Sequence, residues 1–190
     1  MKILLVNNNT QHLDHLKKSL IGHQLEIQDY YPGLNFHLGR KDAVILSGGG
    51  GEGLEIHDEF ERGKLWYQDQ IKLVRETCLP LLGICMGFEV ICKAYNQQVV
   101  AMPKTLTQFV DLQAGKAGQQ LLGKTKLRQY EAHEWNVPEI FGNDLEELAR
   151  SPRDVQIIRH RKKKILGTQF HPEVSGGSLP LNDFLTMVTA

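Results

Sequence analysis

The stretch that most constrains this 190-residue chain is Leu79-Pro-Leu-Leu-Gly-Ile-Cys85-Met-Gly87-Phe-Glu89. Leu79–Ile84 is a short apolar run opened by a proline, the pattern of a strand buried on both faces. From Phe88 onward the apolar residues Phe88, Val90, Ile91 and Ala94 are interrupted by Glu89 and Lys93, which predicts a helix. Cys85 falls at the junction, flanked by Gly83 and Gly87. A sharp strand-to-helix turn with small flanking residues exposes a nucleophile at the carboxyl end of the strand. The helix N-terminus favours thiolate there, so a depressed Cys85 pKa is expected. Alone, a Gly-x-Cys-x-Gly is better explained by a buried cysteine in a strand-helix unit. Two further stretches decide between these readings.

Upstream lies Val44-Ile-Leu-Ser-Gly48-Gly-Gly-Gly51, a buried strand running into glycines. A flexible turn and a phosphate cradle are the other readings of such a run. No Lys-Ser/Thr follows, which excludes a P-loop. Glycines also let backbone N–H groups turn toward an anion, which predicts an oxyanion loop over residues 47–53. Near the C-terminus lies Gly167-Thr-Gln-Phe-His171-Pro-Glu173. It supplies a base and a carboxylate from one short segment, with Pro172 expected to hold the backbone extended.

The rest of the chain alternates strand and helix. Lys2–Val6, Leu25–Tyr31 and Ala43–Leu46 read as strands. A helix is expected from Thr10, as N-cap, to about Ile21, and a long one from His57 to Thr77. Gln98–Ala101, Thr107–Leu112 and Lys124–Tyr130 read as short strands, with the segment 114–123 ambiguous. Asp144–Ala149 reads as helix. Val155–His160 and Lys164–Phe170 read as a hairpin, and Leu179–Val188 as a closing helix. The expected fold is α/β: one doubly wound, mostly parallel, flavodoxin-like sheet over residues 1–190, with antiparallel hairpins appended at its edge.

Together the elbow, the glycine run and the His-Pro-Glu segment resemble the class I, triad-type glutamine amidotransferases. Order and rough spacing match over essentially the whole chain, and Ser47-Gly48-Gly49 leans toward the glutaminase subunit of GMP synthetases. The resemblance implies Cys85 as nucleophile, His171 as acid–base and Glu173 as its orienting partner. It implies an oxyanion hole from the N–H groups of Met86 and the Gly48–Gly49 segment. The family also carries a Ser-His pair near the substrate. His133 matches that histidine, Ala132 stands in place of the serine, and on residues alone His133 reads equally well as a surface-loop residue.

One position departs from the pattern. Family members usually place glutamine where this chain has Glu89, and related γ-glutamyl hydrolases and peptidases can carry glutamate there. In the first turn of the elbow helix, Glu89 is expected to be ionised, and it either faces the substrate end of the pocket or points into the helix-sheet interface or pairs with a basic neighbour. The implied reaction is hydrolysis of the glutamine side-chain amide, with ammonia passed to a separate synthetase subunit, since no nucleotide-binding synthetase motif is present. The alternatives are a stand-alone γ-glutamyl hydrolase and a non-catalytic binding module.

Composition narrows the classes further. Hydrophobic residues make up 41%, enough for a globular core, and the formal net charge is zero, which points to neither nucleic acid nor membrane surface. No apolar run approaches membrane-spanning length, so a cytoplasmic protein is expected. Three cysteines in such a chain argue against a disulfide framework, and Cys78 and Cys92 read as packing residues. The other histidines, among them His12, His15, His57 and His160, form no metal-ligand spacing, and no cofactor is expected.

Overall fold

A computed structural model describes residues 1–49, 56 and 65–190. Among the described residues, nine strands join one sheet in the order β2-β1-β3-β4-β9-β8-β7-β5-β6. Its parallel half comprises β1 (Lys2–Asn8), β2 (Gln24–Asp29), β3 (Ala43–Gly49), β4 (Leu81–Ile84) and β9 (Ile165–Thr168). Its antiparallel half comprises β8 (Val155–His160), β7 (Leu145–Arg150), β5 (Val100–Ala114) and β6 (Lys126–Asn136).

Alternation along the central strands feeds two separate cores. Ile3, Leu5, Ile45, Leu82 and Ile84 face α1 (Leu13–Ser19) and α5 (Leu181–Thr189), meeting Leu16, Phe184 and Leu185. Leu4, Val6, Val44, Leu46 and Leu81 face α2 (Gln68–Glu76) and α3 (Met86–Ala94), meeting Ile71, Val74, Phe88 and Ile91. Both faces of the parallel half are therefore covered, as the continuous apolar runs require. The doubly wound sheet with an antiparallel extension is the fold expected from sequence.

Several local expectations are corrected. Helix α1 starts at Leu13, and His12 is its N-cap; Thr10 Oγ1 instead accepts the His12 N–H at 3.2 Å. Ser47, Gly48 and Gly49 complete β3 rather than opening a loop. The rest of the glycine run and the first part of the long expected helix fall outside the described residues; in its described part, helix α2 starts only at Gln68, after a turn at Trp66 and Tyr67. The two short strands at residues 98–112 are one strand, β5, and the ambiguous segment holds α4 (Lys116–Leu122), ended by Gly123 at φ +66°. That left-handed residue is a common helix stop.

The expected helix at Asp144–Ala149 is strand β7. Leu-Glu-Glu-Leu-Ala-Arg has helical propensity, but cross-strand pairing overrides it. Glu146 is bound by Arg159 at 2.7 Å and by Arg161 at 3.1 Å from the β8 side. A register shift between Glu147 and Ala149 lets the adjacent Leu148 and Ala149 both bury. Cys78 is exposed rather than packed, whereas Cys92 is buried.

Helix α3 lies close against β3. A Cβ on Gly87 would sit 2.4 Å from the Leu46 carbonyl oxygen, and one on Gly83 would sit 2.5 Å from the Gly87 carbonyl oxygen. Gly87→Ala should therefore push α3 off the sheet and cost about 1–3 kcal/mol in urea unfolding. Gly39→Ala, with nothing within 4 Å of the added carbon, should stay within about 0.5 kcal/mol of the parent.

Candidate active site

Cys85 sits between β4 and α3 with φ 51° and ψ −106°. A side chain rarely adopts this conformation, and its cost is on the order of 1–3 kcal/mol. Two bonds hold it: the Cys85 N–H donates to the Thr168 carbonyl at 2.8 Å, and the Cys85 carbonyl accepts the Glu89 N–H at 3.1 Å. The Met86 N–H, first in α3, has no intrahelical acceptor by position.

His171 and Glu173 follow β9, the neighbour of β4. The expected extended backbone at Pro172 is instead a turn, closed by the Val174 N–H donating to the His171 carbonyl at 3.1 Å. Proline suits the second position of such a turn, and the turn carries Glu173 back toward its neighbour. His171 Nδ1 and Glu173 Oε1 lie 2.8 Å apart. The other side of the ring faces the Cys85 thiol, with which it is electrostatically coupled. The fold thus brings Cys85, His171 and Glu173, remote or near in sequence, into one chain of contacts.

Gly48 and Gly49 adjoin this chain. A Cβ on Gly48 would lie 2.9 Å from His171 Cε1, and one on Gly49 would collide with the Met86 side chain. Asn8 ties down this end of β3: its N–H donates to Ser47 Oγ at 2.8 Å, and its side-chain amide donates to the Ser47 carbonyl at 3.0 Å. Gln70 Nε2 in turn donates to Asn8 Oδ1 at 2.8 Å.

The site is closed on the β6 side. Alternate carbonyls of β6 meet the catalytic turn: Arg128 accepts the Ser178 N–H, and Tyr130 accepts the His171 N–H, each at 2.8 Å. The Ala132 carbonyl lies 3.7 Å from Cys85 Sγ and 3.4 Å from His171 Nε2. Cys85 is only 6% exposed and His171 2%. A groove of about 770 Å³ lined by Asp111, Lys126, Arg128, Arg150 and Ser178, among others, shares none of the three candidate catalytic residues.

Burial reshapes the charges. It pushes the Cys85 thiol up, with His171 pulling against it, so the expected depressed pKa is corrected for this closed state. For His171, burial pulls down, but Cys85 and Glu173 outweigh it and hold the ring well above the usual imidazole range. Glu89 is 3% exposed and accepts from Gln169 Nε2 at 2.9 Å. Burial outweighs both that bond and the helix end, and raises its carboxyl to about 7. The expected firmly ionised Glu89 is corrected accordingly.

His133 is neither exposed nor in a loop; it is buried within β6. Its Nδ1 lies 2.7 Å from the Trp135 carbonyl, and its Nε2 lies 3.2 Å from Glu131 Oε2. Burial lowers its pKa, but Glu131 outweighs that and the net shift is upward. Glu131 is also held by Arg153 and Gln108, at 2.7 and 2.8 Å. Both His133 ring nitrogens are thus engaged by the protein.

Sequence reading did not identify the carbonyls of Thr168, Tyr130 and Ala132, which carry no side-chain signal. Gln169 had one: it lies only two residues before His171, in the same Gly167–Glu173 segment.

The class I glutamine amidotransferase family model matches residues 4–187. The chain belongs to that family. Among curated proteins, it is 32% identical to a glutamine-hydrolyzing GMP synthase subunit of Methanosarcina mazei, over 97% of this chain and 95% of that one. It is 31% identical to the protein of the same name from Methanosarcina acetivorans, over 92% and 88%. Among solved structures, a Thermoplasma acidophilum protein aligns over 100% of this chain and 92% of its own, with TM-score 0.77 and 21% identity. A Thermotoga maritima glutamine amidotransferase aligns over 92% and 76%, with TM-score 0.69 and 17% identity.

The Glu89 carboxyl gives a pH signature. Its folded pKa of about 7 exceeds the ordinary 4.5, so the folded state holds the extra proton. Its contribution to stability is full below about 4.5 and is lost as pH rises through about 7. Glu89→Gln should therefore unfold at higher urea than the parent at pH 8, by up to about 3 kcal/mol. That advantage should shrink to nothing near pH 4, as followed by urea titrations across the range.

Proposed function

We propose that this chain hydrolyses the side-chain amide of glutamine through a thioester on Cys85 and supplies the ammonia to a separate synthetase subunit, for GMP synthesis. The observation that carries this reading is the contact chain Cys85–His171–Glu173 at a strand-to-helix elbow, in a class I amidotransferase. The curated relatives named as glutamine-hydrolyzing GMP synthase subunits span nearly the same length, which supports the particular acceptor.

In this mechanism the Cys85 thiol passes its proton to His171, and the sulfur attacks the amide carbon. The oxyanion is met by the Met86 N–H and by backbone of the Gly48–Gly49 strand end. His171 protonates the departing ammonia, leaving a γ-glutamyl thioester. Water, deprotonated by His171, then attacks the thioester, releases glutamate and restores the thiol. Glu173 fixes the ring tautomer and stabilises the imidazolium. No cofactor takes part.

The Ala132 carbonyl must give way before substrate reaches the sulfur, which supports low turnover by the isolated chain and a rise on complex formation. Glu89 favours the second reading, a γ-glutamyl hydrolase, because an ionised carboxylate opposes the α-carboxylate of free glutamine. Near neutrality its protonated fraction donates a hydrogen bond as an amide would, which keeps glutamine as the preferred substrate. Three free cysteines, Cys78, Cys85 and Cys92, suit a reducing compartment, and we place the protein in the cytoplasm. Among the described residues, no helix is long and apolar enough to cross a membrane.

Ammonia release from glutamine, measured with and without the synthetase partner, tests the reading. Cys85→Ala should abolish release. His171→Ala should lower it by at least about 10³-fold, and Glu173→Ala by less. Partner addition should raise wild-type turnover. Undiminished release by Cys85→Ala would end the thioester mechanism, and high partner-independent release would favour the hydrolase.

A further inference from the structure

One titratable ring outside the proposed catalytic set touches it. His12, the N-cap of α1, places its ring centroid 4.5 Å from that of His171, with the planes at 61°. The proposed mechanism gives it no part, and its sequence context marks it only as a histidine without metal-ligand spacing. His171 has its Nδ1 taken by Glu173, its Nε2 side by Cys85 and Ala132, and its N–H by Tyr130. These contacts fix the ring edges and the backbone, while the ring itself is met by His12 at 4.5 Å and, farther off, by the Tyr130 ring at 6.4 Å.

His12 is itself well held. Its N–H donates to Thr10 Oγ1, its carbonyl accepts the Leu16 N–H at 3.0 Å, and the Thr10 N–H donates to Asn7 Oδ1 at 3.2 Å. Asn9, just before Thr10, has φ +58°. The His12 ring meets His15 at 5.9 Å and Tyr130 at 6.1 Å, both edge-on. The charged or titratable groups around it are His15 on its own helix, His171 and Glu173 on the catalytic turn, and Tyr130 on β6. Burial, then His171, hold its pKa below the ordinary value. Burial thus favours the neutral His12 ring, and an aromatic ring beside His171 is an attractive neighbour when that imidazole takes up the Cys85 proton.

We propose that His12 is a positioning residue, whose ring packs against His171 and holds that imidazole in line with Cys85 and Glu173. The proposal rests on reading His171 as the acid–base, so the test includes a measurement that needs no glutamine turnover. In the 190-residue chain, His12→Ala and His12→Gln remove the ring, and His12→Phe keeps one. Loss of the ring should lower kcat about tenfold or more while KM stays within about twofold, since a small misplacement of the base acts on chemistry rather than on binding. It should also slow iodoacetamide alkylation of Cys85, resolved by peptide mapping, without changing alkylation of the exposed Cys78. His12→Phe should restore both rates to within about threefold of wild type, since its ring refills the same contact. Wild-type kcat and Cys85 alkylation in both ringless variants would overturn the proposal. So would a rise in KM alone, or a folded His12→Phe no better than His12→Ala. If the wild-type chain turned over no glutamine even with the synthetase partner present, the function reading would fail and the alkylation comparison would still decide the role of His12.

Discussion

The structure depends on one close approach, the crossing of β4, α3 and β3 around Cys85. Its backbone is bent into a conformation that side chains rarely adopt. It stays there because the Thr168 carbonyl takes its N–H and because Gly83 and Gly87 leave no carbon in the way. Those contacts tie β9 and β3 to the elbow. The residues they carry, His171 after β9 and Gly48–Gly49 at the end of β3, arrive beside the sulfur as a consequence.

The antiparallel ribbon is part of the same construction rather than an ornament on the sheet edge. Successive β6 carbonyls at Arg128, Tyr130 and Ala132 face the turn that carries Ser178 and His171, and the last of them lies on the thiol. Glu131 and His133, buried side chains of the same strand, join a charge network with Arg153. Breaking such a network by removing one partner is costly. The position of the Ala132 carbonyl is therefore backed by buried charge, which gives the closed site a physical origin.

Much of this is legible in the sequence because it is written in residue type. Apolar runs of two periods mark the parallel strands and their covering helices, and the glycines on either side of Cys85 mark the crossing. What the sequence does not reveal is set by tertiary pairing. Residues 145–150 have helical propensity and form a strand because Arg159 and Arg161 meet Glu146 across it. A helix end suggests charge at Cys85 and Glu89, whereas their environment is governed by near-complete burial. His133 carries no mark of its strand, since its burial depends on a partner, Glu131, only two residues away along the same face.

The central claim is that Cys85 carries the γ-glutamyl group between two half-reactions. Rapid acid quench during glutamine turnover with the synthetase partner present, followed by peptide mass spectrometry, tests it most directly. The account predicts a γ-glutamyl mass increase on the Cys85 peptide, removable by hydroxylamine, absent from the Cys78 and Cys92 sites and absent in His171→Ala. Steady ammonia release with unmodified Cys85 at every quench time, under conditions that trap a control thioester, would contradict it.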